Sequence, residues 1–202
     1  MLKLYYVPGT CALCPHIVLH ETGLDFSLEK VDPKNKKTES GQDYNAINPK
    51  GYVPALVMEN GQLLTEVAVI AQYLADLVPA KKLAPPAGTL ERYRLQEALN
   101  FIGTEIHKSF SPLFNPKYSD EAKAIAKERL TLRLGTAAEM LDGRDYVMGR
   151  DFTVADAYLF TVLRWSPRMG VDLSPWPALT AFMERIAARP AVQAAMKEEG
   201  LM

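Results

Sequence analysis

A pair of short motifs about 40 residues apart constrains this chain more than any other feature. Residues 7–15 read VPGTCALCP, and residues 48–56 read NPKGYVPAL and are followed by LTE at residues 64–66. The first motif offers a cysteine where a strand turns into a helix. The second offers a proline that enters a strand and then an acid at the start of a helix. Together they predict a thiol site beside a backbone edge that can bind a peptide.

The first motif places Cys11 at or just before the start of a helix. Residues 2–7 are apolar and aromatic, as expected of a short buried strand. Pro8 and Gly9 end that strand, because proline donates no ladder hydrogen bond and glycine permits a tight turn. An apolar helical pattern follows and stops at Gly23. Because the unpaired amides at a helix start stabilise a thiolate, we expect Cys11 to be the reactive thiol.

The second motif reads as a turn, a strand and a hairpin. Residues 48–51 are dense in turn formers, residues 55–58 are strand-like, and Asn-Gly at residues 60–61 is a strong hairpin signal. Pro54 removes the amide ahead of the strand, and its position is compatible with a cis peptide bond. Glu66 falls at the start of the next helix, where its charge suits either the helix dipole or a ligand ammonium group.

The order of these elements predicts an α/β domain followed by helices. A strand, a helix and a strand at residues 26–31 precede the second motif, and a helix at residues 67–77 follows it, which is the thioredoxin-like βαβ–ββα arrangement. Proline and glycine then interrupt residues 78–88, and no convincing strand follows. Helical spacing recurs at residues 90–114, 120–141, 154–165 and 178–188. The predicted domains are therefore residues 1–80 and 89–202, with a linker at residues 81–88.

Composition excludes several classes of protein. The net charge of −1 over 202 residues gives no indication of binding to nucleic acid or to an anionic membrane surface. No 18-residue apolar run is present, and the chain starts with a strand pattern, not a signal peptide. Two cysteines three positions apart form no disulfide framework and suit a reducing compartment, so we expect a cytoplasmic protein.

Short stretches along the chain carry a resemblance to a known family. They are residues 8–11 (PGTC), 36–41 (KKTESG), 48–56 (NPKGYVPAL), 64–66 (LTE), 72–76 (QYLAD), 113–116 (LFNP), 153–156 (TVAD) and 173–177 (LSPWP). Through them essentially the whole chain resembles the bacterial glutathione S-transferases of the beta class. The resemblance implies a thioredoxin-like N-terminal domain that binds glutathione and an all-α C-terminal domain that supplies a wall for an electrophile.

In the first domain, the resemblance assigns residues to the three parts of glutathione. Cys11 would face the glutathione sulfur, and Lys36 would contact the glycine end. The backbone of Val53, next to Pro54, would pair with the cysteinyl backbone like an added strand. Glu66 and the backbone amide of Val67 would hold the γ-glutamyl end. Relatives often have serine or glycine at position 67, so here the amide remains but a hydroxyl contact is lost.

In the second domain, the resemblance assigns one polar helix face to the binding pockets. Asn100, Thr104 and His107 lie together beside an apolar stripe, and by spacing alone this is a solvated face. In the beta class, the residues matching these and Glu105 line the glutathione and second-substrate pockets. The resemblance also implies a homodimer, with Thr104 and Glu105 near the partner's tripeptide.

The expected reaction is attack of the glutathione thiolate on a small hydrophobic electrophile, with Cys11 and His107 as catalytic residues. The alternative is a glutaredoxin-like thiol transferase or peroxidase in which Cys11 forms a mixed disulfide with glutathione. Cys14 completes a C-x-x-C unit with Cys11. It is either the redox partner of Cys11 or a small residue buried for packing. A binding protein without catalysis is the third possibility, and the retained site residues argue against it.

No prosthetic group and no metal are expected, with glutathione as the co-substrate. The three histidines show no credible zinc spacing, and His16 and His20 are interpreted as structural helix neighbours. The sequence identifies neither the electrophile nor the choice between general detoxification and a catabolic pathway.

Overall fold

The computed structural model describes all 202 residues, which divide into two compact units. The first contains Met1–Lys82 together with Arg189–Met202, and the second contains Leu83–Ala188. In chain order the elements are β1 (Leu2–Tyr6), α1 (Leu13–Thr22), β2 (Phe26–Asp32), β3 (Lys37–Thr38), α2 (Tyr44–Ile47), β4 (Ala55–Val57), β5 (Leu63–Thr65), α3 (Val67–Leu77), α4 (Leu90–Phe101), a π-helical segment (Ile102–His107), α5 (Lys108–Phe114), α6 (Asp120–Met140), α7 (Val154–Leu163), α8 (Pro177–Ala187) and α9 (Pro190–Glu198). Short 3₁₀ turns lie at Pro79–Lys81 and Pro167–Met169.

The first unit is built on a five-stranded mixed sheet in the order β3-β2-β1-β4-β5. β1 pairs with β2 in parallel and with β4 antiparallel, so it lies at the centre of the sheet. Leu4 and Leu56 face each other across β1 and β4 and are fully buried. α1 packs against α3 and α9, and it buries most of its side chains, including the apolar Ile17, Val18 and Leu19.

The second unit is all-helical, and the expected α/β-plus-helical fold class is confirmed. Its central helix, α7, is buried along its whole length. The predicted capping box opens this helix: the Asp156 carboxylate accepts hydrogen bonds from the Thr153 amide at 2.7 Å and from the Thr153 hydroxyl at 2.9 Å. None of the helices in either unit combines the length and the apolar character that crossing a membrane requires.

Five features differ from the sequence prediction. The strand β3 and the helix α2 were not predicted. They have two and four residues, which is too few for a periodic pattern to develop. The helix predicted over residues 90–114 contains the π-helical segment. The domain predicted over residues 89–202 loses its last part, because Arg189–Met202 make their contacts with the first unit. The helix α9, which packs on α1, was not predicted.

Candidate functional site

The structure brings Cys11 to the backbone that precedes Pro54. Cys11 lies in the turn ahead of α1 and is partly buried. Its thiol donates a hydrogen bond to the Val53 carbonyl, with 3.5 Å between the sulfur and the oxygen. The Val53–Pro54 bond is cis. Two residues 42 positions apart in the chain therefore form one surface, with a thiol beside the start of β4.

Side chains hold the loop that leads into this bond. Lys36, whose φ is +54°, donates from Nζ to the Gly51 carbonyl at 2.9 Å. The Tyr52 carbonyl accepts from the Tyr44 hydroxyl at 2.7 Å and from the Asn48 amide at 2.8 Å. Lys36 is thus brought to the same loop as Val53, and the loop is fixed from two sides.

Glu66 stands at the start of α3 in an unusual backbone conformation. Its φ of +74° is uncommon for a residue other than glycine, and such residues concentrate at binding sites. Its carboxylate lies 3.0 Å from Nζ of Lys50, which also donates to the Thr65 hydroxyl. Because the ion pair is exposed, it contributes about 0–1 kcal/mol, and a ligand ammonium can displace Lys50. Val67 begins α3, so its amide has no acceptor within the helix.

In the second unit, three predicted residues lie in the π-helical segment. π-Helical turns occur frequently at functional sites. Thr104 is exposed and donates its hydroxyl to the Asn100 carbonyl at 2.9 Å, which places these two residues together. Glu105 contacts α6 of its own chain, at 2.8 Å from Nε of Arg133 and 3.4 Å from Arg129. The carboxylate of Glu105 is therefore engaged within the chain.

His107 is held by an aromatic environment and is neutral at physiological pH. Its Nδ1 lies 2.7 Å from the Tyr158 hydroxyl, and its ring packs edge-on against Trp165 at 5.0 Å. Burial, and to a smaller extent the nearby charge of Lys108, lowers the pKa of His107 to about 4. The same Tyr158 hydroxyl lies against Gly103, where a Cβ atom would approach it to 3.3 Å. His107 can therefore act as a neutral hydrogen-bonding group but not as a cation.

Cys14 is fully buried in α1. Burial, with a smaller contribution from Cys11, raises the pKa of the Cys14 thiol well above its ordinary value. Neither cysteine forms a disulfide bond. The environment of Cys14 is that of a small packing residue.

Sequence reasoning missed several residues that contact the predicted site residues of each unit. Lys50 was read only as part of a turn, although its cation contacts Glu66. Tyr158 lies 51 positions after His107, and no local pattern connects the two. Glu199 accepts a hydrogen bond from the Gly9 amide at 2.7 Å, 190 positions away, and so reaches the turn that precedes Cys11.

Comparison with known proteins identifies the family of this chain. The family described as "Glutathione S-transferase, N-terminal domain" matches residues 10–77, and "Glutathione S-transferase, C-terminal domain" matches residues 101–190. A curated relative, glutathione S-transferase GstA of Escherichia coli O157:H7, is 48% identical over 99% of this chain and 100% of its own length.

Two solved structures extend the likeness to the whole fold. A sphingomonad glutathione S-transferase complexed with glutathione is 50% identical with a TM-score of 0.96, over 99% of this chain and 100% of that one. A beta-class glutathione S-transferase from Sphingomonas chungbukensis is 48% identical with a TM-score of 0.96, over the same shares. The chain belongs to the glutathione S-transferase family, and its resemblance to the bacterial beta class is confirmed.

Proposed function

We propose that this protein transfers the thiolate of reduced glutathione to small hydrophobic electrophiles. The glutathione thiol gives its proton to solvent, its sulfur forms a bond to the electrophilic carbon, and the leaving group departs from that carbon. The product is a thioether. Glutathione is the co-substrate, and the reaction needs no prosthetic group.

The observation that carries this proposal is the contact between the Cys11 thiol and the Val53 carbonyl. It gives a tripeptide a backbone edge at Val53 with a sulfur beside it, as strand-like peptide recognition requires. Lys36 and Glu66 lie on either side of this edge in the chain and offer opposite charges for the two ends of the tripeptide. Positioning glutathione and stabilising its thiolate are the two contributions that the protein makes.

His107 contributes as a neutral group in this proposal. A pKa of about 4 leaves the imidazole uncharged at pH 7, so it stabilises negative charge as a hydrogen-bond donor. Its contact with the Tyr158 hydroxyl orients the ring.

The function is tested by comparing two reactions on the same preparation. One contains glutathione and an aryl halide, and the other contains a glutathione mixed disulfide with a reductant system. Turnover of the aryl halide with release of halide is expected. Turnover of the mixed disulfide alone would contradict the transferase proposal and support the thiol transferase alternative.

Mild oxidation with oxidised glutathione is expected to leave Cys11 as a mixed disulfide, because Cys14 is buried and its thiol pKa is raised. Mass spectrometry of the intact protein should then show the added mass of one glutathione. The matched variant Cys14→Ser should give the same adduct. A loss of two hydrogens without added glutathione would instead establish a Cys11–Cys14 dithiol pair.

Glu66→Gln is expected to weaken glutathione binding by about 1–3 kcal/mol, since a charge-assisted hydrogen bond to the γ-glutamyl ammonium would be lost. Calorimetry with glutathione measures the affinity. Glu59→Gln removes another exposed acid of the same unit and should leave the affinity unchanged. Equal affinity of Glu66→Gln and wild type, with the fold intact, would remove Glu66 from the site.

We further propose a cytoplasmic homodimer. Large apolar side chains are exposed on each unit, with Tyr52 at 75%, Leu90 at 65% and Tyr93 at 60% exposure, as expected of a surface that a second copy covers. Light scattering at micromolar concentration is expected to give twice the mass of the chain. Leu90→Lys and Tyr93→Lys should shift the protein towards the monomer, and a stable, fully active wild-type monomer would contradict the proposal.

A further inference from the structure

The first unit contains a cluster of three potential metal ligands that the proposed transferase reaction does not use. His16 and His20 lie one turn apart on α1, and Glu198 is the last residue of α9. Nε2 of His16 and Nε2 of His20 lie 2.8 Å and 3.1 Å from the same oxygen, Oε2 of Glu198. The three ligand atoms all lie within 4.8 Å of one another.

A fourth residue determines which nitrogen of His16 faces the cluster. Nδ1 of His16 lies 3.0 Å from Oε1 of Glu199, and both side chains are fully buried. Both ring nitrogens of His16 face a carboxylate oxygen, and a neutral imidazole can donate to only one of them. Glu199 is fully buried whereas Glu198 is 44% exposed to water, so the Glu199 carboxylate has the greater need of a donor, and we place the proton on Nδ1. Nε2 then presents a lone pair towards Glu198 Oε2. Two acceptor atoms at 2.8 Å repel each other unless a proton or a metal ion lies between or beside them.

We propose that His16, His20 and Glu198 bind a divalent first-row transition-metal ion of the zinc type, with Glu199 as the residue that orients His16. Zinc bonds of about 2.0–2.1 Å place two tetrahedral ligands about 3.3 Å apart, close to the 2.8 Å and 3.1 Å that separate the two histidine nitrogens from Glu198 Oε2. Carboxylate–histidine–metal arrangements are the usual way in which a metal-binding imidazole is oriented. Two imidazoles and one carboxylate suit Zn²⁺, Co²⁺ or Ni²⁺ and not the oxygen-seeking Mg²⁺ or Ca²⁺.

The cluster is accessible from solvent on one side. The Glu198 side chain is 44% exposed and that of His20 is 20% exposed, whereas His16 is fully buried. Water can therefore complete the coordination of the ion. The ion would join α1 to α9, and through Glu199 and the Gly9 amide it would reach the turn before Cys11.

Calorimetric titration with Zn²⁺ tests the site. All proteins carry Cys11→Ser, are stripped with a chelator and are kept free of glutathione. The thiols of Cys11 and glutathione then cannot compete for the ion. The reference protein should bind one equivalent. Losing one ligand in His20→Gln or Glu198→Gln should lower the affinity on the order of 100-fold, and His107→Gln, which removes the remaining histidine, should leave it unchanged.

A second measurement covers the possibility that a variant folds poorly. Zn²⁺ should raise the melting temperature of the wild-type protein, because it binds only the folded form, and should not raise that of His20→Gln. The visible spectrum of Co²⁺ bound in place of Zn²⁺ should show nitrogen and oxygen ligands without sulfur. Unchanged affinity in both ligand variants, or no binding by the reference protein, would overturn the proposal.

Discussion

Glu199→Ala is expected to lower the free energy of unfolding by about 2–6 kcal/mol, the largest loss for any single carboxylate of the first unit. The buried carboxylate accepts from the Gly9 amide at 2.7 Å and lies 3.0 Å from Nδ1 of His16. Removing it leaves two donors without an acceptor, and each orphaned donor costs about 1–3 kcal/mol when water does not reach it. Denaturant unfolding in the presence of a chelator measures the change without a metal contribution.

The neighbouring Glu198 supplies a matched control. Glu198 also contacts His16, but its side chain is 44% exposed, so water replaces it in Glu198→Ala. We expect this variant to lose about 1 kcal/mol or less. Glu199→Gln keeps the volume of the side chain and one acceptor oxygen. Its loss of unfolding free energy should therefore fall between those of Glu199→Ala and Glu198→Ala. Equal losses in the two alanine variants would show that burial of Glu199 does not determine its contribution.

Asp156→Ala is expected to cost about 3–5 kcal/mol in the second unit. Its buried carboxylate accepts from the amides of Val147 and Thr153, each at 2.7 Å, and from the Thr153 hydroxyl at 2.9 Å. The alanine variant leaves both amides unsatisfied and removes the cap of α7. Thr153→Ala keeps the two amide contacts and should cost only about 1 kcal/mol, so thermal unfolding that ranks the two variants equally would contradict this assignment.

The same residue gives a pH dependence of defined sign. Burial raises the pKa of Asp156 to about 6, against the opposing effect of its hydrogen bonds from Val147 and Thr153. Between pH 4 and pH 6 the folded protein holds a proton that the unfolded chain has lost, so this contribution to stability falls as the pH rises, by about 3 kcal/mol in total.

Asp156→Asn isolates this effect because asparagine does not titrate. The unfolding free energy of the wild type minus that of Asp156→Asn should therefore decrease from pH 4 to pH 7. The subtraction matters because the lowered pKa of His107 acts in the opposite direction: its contribution is present above pH 6.5 and is lost as the pH falls towards 4. A difference that stays constant or rises with pH would contradict a raised pKa at Asp156.

Local signals in the sequence were enough for most elements of the first unit. The predicted helix at residues 67–77 has the ends that α3 has, and the strands predicted at residues 26–31 and 55–58 differ from β2 and β4 by one residue. Apolar periodicity and the turn formers that end it act over a few residues, so they can be read without knowledge of the fold. Cys11 ahead of a helix and Glu66 at a helix start were found for the same reason.

Signals that depend on packing could not be read in this way. The π-helical segment interrupts a pattern that reads as one continuous helix, and Gly103 within it lies against Tyr158 of another helix. The helix α9 follows the second unit in the chain but packs against α1 of the first. Neither the boundary at residue 189 nor the environment of His107 is contained in a window of neighbouring residues.

The sequence by itself thus determined the order of strands and helices, the thiol ahead of α1 and the family to which the chain belongs. Only the tertiary structure decided that Glu198 and Glu199 reach His16, more than 180 positions earlier in the chain, and that Cys11 meets Val53. Hydrogen bonds and metal ligands act over about 3 Å whatever the separation along the chain, whereas periodicity reports only on neighbours. The histidines of α1 therefore read as structural until the carboxylates of α9 are placed beside them.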